Sequence, residues 1–381
     1  MEILINVNDA LPQILMVSGI IASKNVIPIL NNLYFSVDEE KGVKVMGSNG
    51  ETWVTSPVTI ESFNIEGKKM VTFCLETSLL LQAMKNMANK QLSMLFDEKN
   101  NIVTCGYNEG VFKMPYSSTD EYPLPTEVDG EIVNMKAHNL CYAIAKTKSA
   151  TTNDSLRPQL NGIHIEYKDG NMDYVATDAH RLAVFFDNEI DTQAESIDAT
   201  LPVTALQVVS NLAANEGENN VELALSPTNA KFTFSNGCIV VTRKLEGKYP
   251  NYKAVIPKDG SDIIVLARQA TIDALKRTLP MGNASTGLVI LDFNEAKKKS
   301  FTVLAEDIDF EKSAQEDVFC VDYQGGTFKI GFNGNYLLQA LQNFDCDQVR
   351  IMMNGATKSA VLSPEDKEIN YLYLLMPTVT S

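Results

Sequence analysis

Six short helical patterns recur along this 381-residue chain at nearly even spacing. They lie near Asn8–Ala22, Thr77–Asn89, Ala137–Ser149, Val203–Ala214, Arg268–Leu279 and Gly334–Phe344, so a new one begins roughly every 65 residues. In each, apolar residues return at three- and four-residue steps, as in Leu79, Leu80, Ala83, Met84 and Met87, which gathers them on one helical face. Short apolar or alternating runs, such as Val71–Leu75 and Phe328–Phe332, introduce the helices. The strands between correspond as well. Asn32–Val37 resembles Gly162–Tyr167 and Gly287–Asp292, and further on come polar corners at Gly47–Gly50, Ala176–Ala179 and Ala305–Asp307.

One helix with about four strands is therefore the unit, and two units make a domain of about 125 residues. The expectation is an α+β protein of three repeated domains, each with two helices on antiparallel sheet, over 1–126, 127–256 and 257–381. Proline-bearing stretches at Glu121–Pro125 and Tyr249–Pro257 fall where linkers belong.

Charge is distributed against the average. The net charge of −16 opposes wrapping nucleic acid with the whole surface. Inside the helical stretches, however, acidic residues are few, chiefly Asp9 and Asp273, while Lys24, Lys85, Lys90, Lys136, Lys146, Lys148, Arg268, Lys276 and Arg277 lie in them or just beyond. Acidic residues crowd into strand connections such as Asp38–Glu40 and Glu306–Asp309. A basic helix face suits a phosphate backbone, because lysine and arginine displace condensed counterions without reading base edges. A solvated helix surface is the alternative.

Val175–Val184 mixes residue types seldom found together: apolar flanks around Thr177-Asp178-Ala179-His180-Arg181. It reads as strand, tight turn and strand. Three readings stay open at this point. Asp178 and His180 could be an acid and base, the turn could be a plain polar tip, or a binding pocket could lie beside it. Chemistry elsewhere is sparse. Phosphate-cradling glycine motifs and H-E-x-x-H are missing, the three histidines are scattered, and the six cysteines form no Cys-x-x-Cys pair, so no cofactor, metal or disulfide framework is expected. Met1–Val7 alternates like a strand rather than a signal peptide, and no run reaches membrane-spanning length, which points to the cytoplasm and away from a membrane.

Several stretches together resemble the bacterial sliding clamps, the beta subunits of DNA polymerase III. They are Ile27–Leu30, Asn161-Gly162, Val175–Val184, Gly247–Tyr252, Val255–Lys258 and Leu374–Pro377, and the likeness extends over essentially the whole chain. The resemblance implies the DNA clamp fold, with six domains in a dimeric ring around duplex DNA, bound without sequence preference. It implies a non-catalytic processivity factor that tethers the polymerase III alpha subunit, the clamp loader and other proteins carrying a clamp-binding motif. Partner peptides would dock at Leu160, Thr177, His180, Arg181, Leu182, Pro250, Val255, Leu375, Met376 and Pro377. Lys24 and Arg157 match DNA-facing positions, joined on charge by Lys146, Lys148, Lys276 and Arg277. Phe112 and Met114, with Leu279 and Met281, would supply the apolar homodimer interface. Ala179 departs from the family, standing where many members have glycine, and Thr378–Ser381 replaces the usual ending.

Overall fold

A computed structural model describes residues 1–22, 24–87, 90–297, 299–365 and 370–378. The last two residues of the expected Thr77–Asn89 helix, and Val379–Ser381 of the divergent tail, lie outside the described residues. Among those described, six α-helices form: α1 (Val7–Ser18), α2 (Thr77–Lys85), α3 (Ala137–Thr147), α4 (Val203–Ala213), α5 (Arg268–Thr278) and α6 (Gly334–Gln342). Each starts within a residue of its expected position. Local chemistry sets some of these starts. The Asn6 side chain accepts from the Asn8 amide at 3.0 Å, and the Asn333 side chain accepts from the Asn335 and Tyr336 amides, satisfying first-turn donors that no helix can satisfy internally.

The chain divides into two compact units. The first comprises Met1–Leu140, Asp191–Ala194 and Thr204–Lys244. Its strands pair antiparallel, running from Glu131–Lys136 through Asn220–Leu225, Asn229–Thr233 and Ile239–Arg243 to Thr52–Val58, and on through the remaining strands of the first 117 residues. The join between Ile239–Arg243 and Thr52–Val58 places Val241 opposite Trp53 and Thr242 opposite Thr52. Because this pairing crosses the expected boundary at 126, part of the second repeat groups with the first. Val7, Ala10, Ile14 and Val17 of α1 are buried, as are Leu80 and Met84 of α2, and a run of tilted and stacked rings, Phe35, Phe73 and Phe96, fills the interior beside the sheet. Side chains of this size stabilise by about 1.5–3 kcal/mol each when buried.

The second unit comprises Cys141–Ile190, Glu195–Val203 and Leu245–Ser381. Here the sheet runs from Ser196–Pro202 through Gly162–Lys168, Asn171–Thr177 and Arg181–Asp187 to Tyr371–Leu375, then into the strands of the third repeat. Its join is built like the other: Leu374 stands opposite Leu182 and Leu375 opposite Arg181. All six cysteines are free thiols, and burial pushes Cys74 and Cys105 up to about 12, so they act as small apolar residues.

Candidate functional site

The turn at Asp178–His180 is fastened by its own side chains. Thr177 Oγ1 donates to the Arg181 carbonyl at 2.6 Å and accepts from the Ala179 amide at 3.1 Å. Asp178 Oδ1 accepts from the His180 and Arg181 amides at 2.9 and 3.0 Å, and Oδ2 from Arg181 Nε at 2.9 Å. Both carboxylate oxygens are thus committed to the turn and the guanidinium. This corrects the acid–base alternative, since Asp178 fastens a turn instead of orienting an imidazole. Ala179 pays for the tight reversal with a φ of +75°.

Arg181 is 8% exposed and held on three sides. Besides Asp178 it donates from Nη1 to Gln339 Oε1 and stacks its guanidinium 4.2 Å from the Tyr336 ring centroid. Tyr336 and Gln339 were absent from the expected site. They stand three apart on α6, so one helical face carries both; the signal was there, but the sequence names no partner for that face.

Below the turn lies an apolar cluster. Leu160 and Leu182 join Val175, Tyr249, Val361 and Leu374 in it, each under a tenth exposed. Above it, Val255 is 54% and Met376 47% exposed, with His180 and Pro250 also open to solvent. The Met376 amide donates to the His180 carbonyl at 2.9 Å, which ties the end of the Tyr371–Leu375 strand to the turn. Leu375 is buried and Pro377 half-buried. The structure thus gathers Leu160, Thr177, His180, Arg181, Leu182, Leu375 and Met376 around one hairpin. Pro250 and Val255 belong to the segment that contributes Tyr249 and Tyr252 to the same cluster.

That segment is anchored by charge. Tyr252 Oη lies 2.5 and 2.6 Å from the carboxylates of Glu166 and Asp173, which share its one proton as acceptors, and Lys253 Nζ lies 2.7 and 3.2 Å from the same carboxylates. Burial would raise Glu166, yet the Lys253 and Tyr252 hydrogen bonds outweigh it and hold this carboxyl below the usual range. Burial together with the two carboxylates pushes the Tyr252 phenol up, out of reach of physiological titration. His164 stacks on Tyr249 at 4.3 Å, and burial pushes its pKa down despite three nearby carboxylates.

The basic residues divide into classes. Lys24, Lys148 and Lys276 are exposed. Arg157 pairs with Asp154 at 2.9 Å, and Arg277 with Glu316, each remaining partly open to solvent. Lys146 departs from expectation. Only 5% exposed, it donates to the Asn343 carbonyl, lies 2.7 Å from Asp345 and covers the Tyr142 ring, so its charge is turned inward and cannot face DNA. Met114 is a second correction: at 4% exposed it belongs to the interior, because the strand Gly110–Ser117 turns 112, 114 and 116 inward and 111, 113 and 115 outward. Phe112 and Leu279 are half-buried, and Met281 is 41% exposed. Beyond the expected set, Ile308 and Phe310 stand 80% and 74% exposed at the third corner, beside a groove of about 620 Å³ lined by Leu288, Ile290, Leu304 and Lys329 among others.

Known proteins match this chain along its length. Models of the N-terminal, central and C-terminal domains of the DNA polymerase III beta subunit match residues 1–126, 134–251 and 253–378. The beta sliding clamp of Halalkalibacterium halodurans is 26% identical over 371 residues, covering 96% of each chain. That of Synechococcus elongatus is 26% identical over 381 residues, covering 99% of each. Among solved structures, the DNA polymerase III subunit beta of Pseudomonas aeruginosa superposes with a TM-score of 0.92 at 21% identity over the whole of both chains. A sliding clamp from the same species bound to griselimycin gives 0.91 at 22% identity, again over the whole of both chains. These structural likenesses speak for the fold.

Proposed function

Because the chain belongs to the DNA polymerase III beta-subunit family, the bacterial sliding clamps, we propose that two copies close a ring around duplex DNA and tether the replicative polymerase to it. The observation that carries ring closure is the bare third corner. Ile308, Phe310 and Met281 leave large apolar surface in water beside an open groove, and a second copy of the chain would bury it. On this reading Phe112, Leu279 and Met281 belong to the interface and Met114 supports it from within. Three domains, over about 1–126, 127–256 and 257–381, would make six in the dimer.

Duplex DNA would be held by topology, with Lys24, Lys148, Arg157, Lys276 and Arg277 as sequence-independent phosphate contacts. The clamp would do no chemistry of its own. Partners such as the polymerase alpha subunit and the clamp loader would insert short peptides over the Leu160–Leu182 cluster, against His180, Pro250, Val255, Met376 and Pro377, with Thr177, Arg181 and Leu375 shaping the wall. Tethering then works by effective concentration: a polymerase that lets go of the primer stays nearby to rebind. The place of work would be the cytoplasm; among the described residues no helix is long and apolar enough to cross a membrane.

Solution scattering over a dilution series tests closure. A mass twice that of the 42.0 kDa chain, with a central hole in the distance distribution, is expected. Phe310→Glu should shift the equilibrium to monomer and lower retention on nicked circular DNA. A wild-type monomer at every concentration would overturn the ring.

A further inference from the structure

The corner that carries the proposed peptide groove has a twin in the first unit, built from the same bonds. Asn49 Oδ1 accepts from the Glu51 and Thr52 amides at 3.0 and 2.8 Å, as Asp178 Oδ1 does from His180 and Arg181. Ser48 Oγ accepts from the Gly50 amide at 2.9 Å, as Thr177 does from Ala179, and Gly50 sits at φ +92° where Ala179 sits at +75°. Part of the cluster beneath is matched as well. Leu30 stands for Leu160, the Tyr34–Tyr122 ring pair for His164–Tyr249, and Val241 for Leu374.

The twins part at Ala224 and Met352, and most sharply just after the turn. The second residue of the strand after the turn is Trp53 in the first unit and Leu182 in the second. The Trp53 indole is 3% exposed and donates to the Pro123 carbonyl at 2.7 Å. Six residues beyond the matching tyrosine, Val128 is 6% exposed in the first cluster, whereas Val255 in the second is 54% exposed. Val128 is thus part of the Trp53 cluster, while Val255 stays in solvent.

We propose that Trp53 is a resident occupant of a first peptide groove, and that leucine at 182 is what leaves the second groove free for partners. The chain would thereby offer one docking site per copy although its repeat builds two. This rests on the peptide reading of the 160–182 cluster. Physically, an indole held by its hydrogen bond to Pro123 supplies in cis the flat apolar side chain that a partner's leucine or phenylalanine supplies in trans.

The test is a titration of the full-length protein with a fluorescein-labelled peptide bearing leucine and phenylalanine, read by anisotropy and by calorimetric stoichiometry. Wild type should bind one peptide per chain, weakened by Arg181→Ala; no binding would sink the peptide reading itself. Leu182→Trp, with Met352→Ala to give the indole the room that Ala224 gives in the first unit, should weaken binding about tenfold or more. Trp53→Leu should raise the stoichiometry to two per chain. If wild type binds while the Leu182→Trp, Met352→Ala protein binds equally well, the inference falls and the peptide reading stands. It falls in the same way if a folded Trp53→Leu protein still takes one peptide; should that variant fail to fold, the Leu182→Trp arm decides alone.

Discussion

Lys146→Ala should unfold the second unit more readily while leaving DNA contact unchanged. The ammonium is a knot between the ends of α3 and α6. It donates to the Asn343 carbonyl and pairs with Asp345 at 2.7 Å; the Lys146 carbonyl in turn accepts from Asn343 Nδ2 at 3.2 Å and Tyr371 Oη at 3.0 Å. Truncation leaves the Asn343 carbonyl without this donor, a cost of about 1–3 kcal/mol, and removes the cation over Tyr142 along with the packing of the buried stem. These terms overlap, so about 2–4 kcal/mol in all is the expectation, or a melting temperature lower by about 5–10 °C. Lys148→Ala, two residues on and exposed, should stay within about 0.5 kcal/mol of wild type. Duplex binding against salt separates the two in the other direction: the logarithmic slope should fall by about 1 in Lys148→Ala and hold in Lys146→Ala. Acid adds a check. Asp345 is pushed up by burial but held lower overall by the Lys146 hydrogen bond, so it contributes stability above the ordinary carboxylate range, lost as pH falls through its folded value; Lys146→Ala should lack that component. A Lys146→Ala protein that melts with wild type and loses salt dependence would refute the buried knot.

Ala179→Gly should stabilise by about 0.5–1 kcal/mol, since the left-handed conformation costs an L-residue about 1–2 kcal/mol and glycine's extra unfolded freedom returns part of the gain. Thermal melting checks this, and a lower melting temperature would mean the alanine methyl packs usefully. His164→Tyr should flatten the acid limb of stability. Burial holds the imidazole neutral below its ordinary value, so as pH falls from about 6.5 the unfolded chain takes up the proton first and the fold loses stability. Tyrosine already fills the matching position at Tyr34, its ring tilted against Tyr122, so the variant should fold; urea midpoints at pH 7 and pH 5 that drop as far as wild type would refute the assignment.

Helices were legible because each carries its own period, and their ends were less so. Apolar periodicity runs on past Ser18 to Ile20 and Ile21, yet α1 stops at Gly19, where the backbone closes only a short turn onto Met16. Met114 could not be placed because both faces of its strand carry apolar residues; Val111 and Phe112 look alike in sequence, and only pairing settles which turns inward. Lys146 was readable in principle. It follows Leu140 and Ala143 at three-residue steps, close to the buried side of α3, but its charge suggested surface. Tyr336 and Gln339 reach Arg181 from some 155 residues away in the chain, a juxtaposition only tertiary structure supplies.

One repeat unit has met three different ends. On the proposed reading, the corner after Ser48 is sealed by Trp53, which is 3% exposed, and the corner after Thr177 is left open by Leu182. After Asp307 the corner lengthens through a short 3-10 turn to Glu311 at φ +54°, lifting Ile308 and Phe310 into solvent. An array whose corners each need a following element always has one left over. Filling the last from within would give a monomer with no way to enclose anything. On that reading, leaving it apolar and bare would give it to the start of another copy, and with three repeats per chain two copies would suffice to return to the beginning. On the proposed reading, the same small change of side chain at one corner decides whether the repeat holds itself together, takes a partner or closes a ring.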